Sequence, residues 1–194
     1  PAANADFEGV VNLDNIVAGT KTTDADYNAL VYWLTGAEAG CEVNRSCTNM
    51  IYDGEYSVDT NYTQQQLIDN INAGKLTLHR VDDSVRVLTD INSLTTYTSD
   101  KGKIFASNQT IRVIDQIAND IASLFNSKYL GVYPNDVMGR VELKADITSH
   151  HEQLQNIGAI ENFDSGDVTV ERGDEKTSVV VTDNVEVVGT MEKL

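Results

Sequence analysis

The sequence predicts an α+β fold in which strand and helix do not alternate regularly. Three observations carry this. Two long amphipathic runs, roughly 104–127 and 136–156, show helical apolar spacing. An alternating hairpin pattern precedes them at Leu76–Asp90, and short valine-rich strand patterns follow them at 167–188. Helices and strands segregated in this way do not build a doubly wound parallel sheet.

The elements follow in chain order. Residues 1–22 are polar and irregular apart from Val10-Val11. Thr23-Asp-Ala-Asp26 has the form of a capping box, and Tyr27, Leu30, Val31 and Leu34 follow at helical spacing, bounded by Gly36 and Gly40. Residues 41–62 read as loop with short extended pieces. Thr63-Gln-Gln-Gln66 forms a second capping box for a helix through Leu67, Ile68 and Ile71 that stops at Gly74. Leu76–Val81 and Val85–Asp90 then alternate across Asp82-Asp-Ser84. The helix over 104–127 places Ile111, Ile114, Ala118, Ile121 and Phe125 on one stripe, flanked by Ile117 and Leu124. Pro134-Asn-Asp136 breaks the chain and offers an N-cap for the helix over 136–156, with Leu143, Ile147, His151 and Leu154 on one face. Asp167–Glu171 and Ser178–Thr182 are strands across Gly173–Lys176, and Val185-Glu-Val-Val188 extends the second.

Composition narrows the function classes. The net charge of -16 argues against nucleic acid, because phosphate contacts need an excess of Lys and Arg. No apolar run reaches the roughly 18 residues of a membrane span, and residues 1–20 lack the basic start and apolar core of a signal segment. The opening Pro1-Ala-Ala leads to the expectation of a fragment or processed product. Charge is uneven: residues 1–60 carry ten acids against Lys21 and Arg45, 61–130 carry seven of each sign, and 131–194 carry thirteen acids against five bases. The central third is therefore the region where a neutral or basic contact face is expected.

Candidate chemistry is sparse. Cys41 and Cys47 have no second pair or neighbouring His, so two free thiols are expected rather than zinc, and no cofactor is implied. His79 sits on a hairpin strand without a nucleophile. His150 and His151 point about 100 degrees apart on a helix, a poor chelating pair, with His151 packed and His150 exposed. Asp24/Asp26, Asp82/Asp83 and Asp174/Glu175 lie at caps and turns, where Asp is favoured for its backbone hydrogen bonds. No Lys-Ser/Thr follows Gly36 and Gly40 to make a phosphate loop. No catalytic set emerges, and an enzyme is not expected.

Several short segments, in order, do carry information: Asp6-Phe-Glu-Gly-Val10, Thr35-Gly-Ala-Glu-Ala-Gly40, Asn44-Arg-Ser-Cys-Thr48, Asp90-Ile-Asn-Ser-Leu94, Asp100-Lys-Gly-Lys103, Arg112-Val-Ile-Asp115, Ile117-Ala-Asn-Asp120, Gly139-Arg140, Gly158-Ala-Ile160 and Phe163-Asp164. Together they resemble the sheath proteins of contractile phage tails, in the branch found in Firmicute phages and phage-like bacteriocins. The resemblance implies the end of a subtilisin-like α/β domain over residues 1–90. A small C-terminal domain over 91–194 would then hold two long helices against a small sheet, without the family's upstream part or its last strand. It implies a structural subunit that stacks as rings around an inner tail tube and contracts to drive the tube through an envelope. The implied partners are other sheath subunits through terminal-arm strand exchange, the tube protein, the baseplate and the tail terminator, with no nucleic acid and no membrane insertion. The implied location is a virion tail or extracellular bacteriocin particle assembled in the host cytoplasm, this piece alone being monomeric. Val179, Val180, Val181, Val185, Val187 and Val188 are the expected strand-exchange residues. Arg140 and Lys144, one turn apart, with Lys101 and Lys103, are the expected tube contacts, and Arg112 adds to the basic character of the region. The rival readings are an acidic, non-enzymatic adhesin module and a hydrolase using His79 or Asp90.

Overall fold

Leu30 and Leu34, one turn apart and both buried, set the first helix, α1 (Leu30–Gly40). In the computed structural model, which describes residues 5–19 and 28–192, Gly36 lies inside α1 rather than at its end. It faces open solvent, and the Ala37-Glu-Ala39 run sustains the helix across it at a cost of about 1 kcal/mol. The capping box predicted at Thr23–Asp26, with Tyr27, lies outside the described residues. The box predicted at Thr63 is present: its hydroxyl accepts from Gln66 N at 3.3 Å and its N–H donates to Gln66 Oε1 at 2.8 Å. It opens α2 (Gln64–Asn72). The chain leaves α2 through Gly74 at φ +65°, where an added Cβ would come within 2.9 Å of the Ser93 carbonyl oxygen.

The chain divides into two units, residues 1–111 with 190–194, and residues 112–189. In the first, β1 (Asn12–Leu13) pairs in parallel with β2 (Lys75–Leu76), a pairing the sequence did not reveal. The predicted hairpin is consequently shorter than its pattern. Leu76 turns away to join β1, leaving β3 (Leu78–Val81) antiparallel to β4 (Ser84–Val87) across a two-residue turn in which Asp82 adopts φ +50°. Val17, Leu30, Leu34, Val58, Leu76, Leu78 and Val87 pack as one core. Buried Asn15 stitches it, accepting from Leu78 N at 2.5 Å and donating to the Leu78 and Asp59 carbonyls at 2.8 and 2.9 Å. An aliphatic side chain buried in this way contributes about 1.5–3 kcal/mol.

The first long helix is three pieces: a 3-10 turn (Lys103–Ala106), α3 (Asn108–Leu124) and a π turn (Phe125–Tyr129). Ser107, extended at ψ 127°, breaks the run before Asn108. The buried apolar positions of α3 are Val113 and Ile117, whereas Ala118 is exposed. The apolar stripe is wide enough that spacing alone placed its centre one residue off.

Within the second unit, the second long helix, α4 (Val137–Asn156), agrees with its pattern. Asp136 Oδ1 accepts from Gly139 N at 2.8 Å, and Leu143, Ile147, His151 and Leu154 are buried. β6 (Val168–Arg172) and β7 (Val179–Asp183) pair antiparallel with Val170 opposite Val181. Val185–Val188 does not extend β7 as predicted. The last β6–β7 rung is Asn184 N to Asp167 O at 3.1 Å, after which β8 (Glu186–Val187) pairs with β5 (Ile160–Glu161). Tyr129, Leu143, Ile147 and Val168 form the buried centre, with Val170, Val179 and Val181 against it.

Gly139 yields a prediction opposite to helix propensity. Ala is about 1 kcal/mol better than Gly inside a helix. Here, however, an added Cβ would fall 2.2 Å from the Pro134 carbonyl oxygen. Gly139→Ala is expected to lower stability by about 1–2 kcal/mol, since overpacking outweighs propensity. A urea midpoint equal to or above that of the parent would contradict this.

Candidate functional site

The alternation of an antiparallel ladder decides which groups of β7 are available. Gly173 N bonds Ser178 O at 3.0 Å and Asn184 N bonds Asp167 O at 3.1 Å, which fixes the phase of the β6–β7 ladder. Val180 and Thr182 therefore direct their backbone groups at β6, while Val179, Val181 and Asp183 direct theirs away from it. Each described sheet has two strands, so among the described residues this outer edge of β7 is unpaired. Val179 and Val181 point their side chains at the core and Val180 is exposed. Val187 is bound into the β5–β8 pair opposite Ile160, and Val188 N donates to Ala159 O at 3.1 Å. Val185 is half-buried between the two sheets' strands in sequence. Of the six valines, Val179 and Val181 thus lie on the open edge, Val180 bonds β6, Val187 and Val188 are bound to the Ala159–Ile160 segment, and Val185 lies between the two sheets in sequence.

The basic residues behave differently from one another. Lys101 pairs with Glu8 and lies 5.4 Å from the Phe7 ring centroid. Arg140 Nη1 donates to the Asn135 carbonyl and Oδ1 at 3.2 and 3.0 Å. Asn135 Nδ2 in turn donates to the Lys176 and Ser178 carbonyls at 3.0 and 2.7 Å, so Arg140 braces the approach to β7. Lys103 is exposed and Lys144 half-buried. Neither has an ion-pair or hydrogen-bond partner among the described residues.

One surface feature escaped the sequence reading. Leu130, Val132, Tyr133, Val137, Met138 and Val141 are all exposed within twelve residues around the start of α4. Val137, Met138 and Val141 fall at i, i+1 and i+4, a second apolar face on α4 that spacing could have exposed. Nearby, Lys128 Nζ and the Tyr129 hydroxyl both donate to Asp146 Oδ2. Burial favours the neutral form of Asp146, yet these two bonds hold its carboxyl below the usual range. Burial and the Asp146 contact push the Tyr129 phenol up to about 12.

A buried polar cluster of the first unit centres on Asp90, 1 % exposed. Its Oδ2 accepts from Cys47 N at 2.9 Å and Ser46 Oγ at 3.3 Å, and its Oδ1 accepts from Asn108 Nδ2 at 2.8 Å. Asn108 Nδ2 also donates to Glu38 Oε1 at 3.2 Å, and Thr48 Oγ1 accepts from Asp90 N at 2.9 Å. Glu38, Cys47 and Asp90 offer ligand atoms within 4.8 Å of one another. Burial first, then the Glu38 and Asp90 charges, push the Cys47 thiol far up, and its Sγ donates to Ala37 O at 3.7 Å. The cluster is a hydrogen-bonded junction between the Cys47 loop and the start of α3. Both cysteines are free.

The histidines follow suit. His79 is half-buried opposite Arg86, and burial followed by that charge lowers its pKa. His150 is not exposed as predicted: its side chain is 22 % accessible and bonded to Asp120 and His151.

Comparison with known proteins places these features. A profile of the phage tail sheath protein central domain matches residues 1–93, and a profile of the phage tail sheath C-terminal domain matches residues 100–194. The chain belongs to the phage tail sheath family. It is 31% identical to the phage-like element PBSX protein XkdK of Bacillus subtilis, over 97% of this chain and 42% of that protein. The crystal structure of the sheath tail protein of Desulfitobacterium hafniense superposes with a TM-score of 0.82 at 37% identity, covering 96% of this chain and 44% of that one. The sheath tail protein Lin1278 of Listeria innocua gives 0.84 at 29% identity, with the same coverage of 96% and 44%. This sheath chain therefore spans less than half the length of each. No described helix is long and apolar enough to cross a membrane.

Proposed function

We propose that this chain acts as part of a structural, non-enzymatic subunit of a contractile tail sheath. Subunits polymerise as rings around an inner tail tube, and their contraction drives the tube through the target envelope. The observation that carries this reading is the open edge of β7 in a chain that matches sheath domains along its length. A strand donated by a neighbouring subunit adds to that edge through Val179, Val181 and Asp183, linking subunits by backbone hydrogen bonds that survive relative rotation. Val187 and Val188, held at the β5–β8 pair, and Val185, which leads into it, are then not the residues that receive the strand. Residues 1–90 serve as the end of the upstream domain and 91–194 as the C-terminal domain.

The tube-facing role falls to α4. Lys144, unpaired among the described residues, is the better candidate, with Lys103 from the central region. Arg140 acts by bracing the loop beside Val179, and Lys101 is already held by Glu8. The baseplate and the tail terminator cap the polymer at its ends. The particle is a virion tail or a released bacteriocin, assembled in the host cytoplasm.

Negative-stain electron microscopy of the whole protein tests the reading. Long tubes of regular rings are expected, with this 194-residue chain alone staying monomeric in sedimentation. Small closed oligomers under every condition, or tubes from this chain alone, would count against it.

A further inference from the structure

Four side chains of the second unit lie in one hydrogen-bonded line. Asp120 on α3 meets His150 Nε2 at 2.9 Å, His150 Nδ1 meets His151 Nδ1 at 3.2 Å, and His151 Nε2 meets Asp183 Oδ2 on β7 at 2.7 Å. His151 is fully buried and packed on the Phe163 ring at 5.0 Å. Each of the three contacts has hydrogen-bond length, and each needs one hydrogen between its two heavy atoms. Two ionised carboxylates and two neutral imidazoles supply only two. With both Nε2 atoms donating to carboxylates, the two Nδ1 atoms would face each other as bare lone pairs.

We infer that the His150–His151 pair is a proton-binding site, holding one hydrogen more than two neutral imidazoles and so latching α3, α4 and β7 together. The count is the same whether His150 or His151 carries the extra hydrogen: the three bonds then take three ring hydrogens. A second observation favours positive charge here. Asp183 Oδ1 is buried without a hydrogen-bond partner among the described residues, so the His151 contact is where its charge is compensated. The other titratable groups facing the pair are Asp146 and Lys128, which lie with Asp120 and His150 around one cleft and neutralise each other at 2.5 Å. The remaining surroundings are thus acidic on balance, which favours retention of the proton.

The test is a long-range proton–nitrogen NMR correlation on the 15N-labelled chain at about pH 7. Three ring N–H groups are expected across His150 and His151, with His79 neutral as internal reference. One N–H on each ring would overturn the inference.

Discussion

Asp90→Ala is expected to lower the unfolding free energy of the first unit by about 3–5 kcal/mol, among the largest single-residue effects in the chain. The carboxylate is 1 % exposed and accepts from Cys47 N, Ser46 Oγ and Asn108 Nδ2. Removing it orphans the buried Cys47 amide, at about 1–3 kcal/mol, takes one of the two Nδ2 bonds from Asn108, and leaves a cavity. Asp90→Asn keeps the shape but turns one acceptor into a donor facing donors. It is expected to recover less than half the loss. Asn108→Ala should cost less than Asp90→Ala, because Asp90 would keep the Cys47 and Ser46 bonds. Urea unfolding of the three variants gives the ranking. A loss below about 1 kcal/mol for Asp90→Ala would mean that the junction is not structural.

Asp90 also marks the boundary of what the sequence could reveal. Its segment was recognisable as a family signature, but not the partners that explain it. Thr48 and Asn108 lie far from it along the chain, and side-chain networks leave no periodic trace. The elements that could be read have local causes: the Thr63–Gln66 capping box, the Asp136 N-cap and the Leu143–Ile147–His151–Leu154 face of α4 each depend on residues within a turn or two. The β1–β2 pair failed because two-residue strands carry no alternation and their partners come from opposite ends of the first unit. Val185–Val188 was misassigned for a related reason. Its apolar pattern suits a strand, yet nothing local says whether the strand continues β7 or crosses to β5. His150 illustrates the same limit in the site: helical geometry placed it beside His151 correctly, but Asp120 comes from another helix.

The edge of β7 leads to the second large effect, because the pleat gives neighbouring valines opposite roles. Val180 directs its N–H at β6, so Val180→Pro breaks an internal rung and is expected to cost the second unit about 3 kcal/mol. Val181 directs its N–H outward. Val181→Pro is expected to leave the unit folded, at about 1 kcal/mol for lost packing of a half-buried side chain, while abolishing tube formation by the whole protein. A proline there removes a donor that a neighbour's strand would need, and its ring obstructs the approach. Circular dichroism and urea midpoints of this chain report the folding cost, and electron microscopy of the whole protein reports assembly. The pair separates two ideas that a single variant would confuse. If β7 is only an internal strand, Val180→Pro and Val181→Pro should affect assembly in proportion to the stability each removes. If it is the docking edge, the variant that is milder for folding is the more damaging for tubes. Normal tubes from Val181→Pro protein would move the exchanged strand to another edge, with the outward groups of β6 at Val168, Val170 and Arg172 next in line.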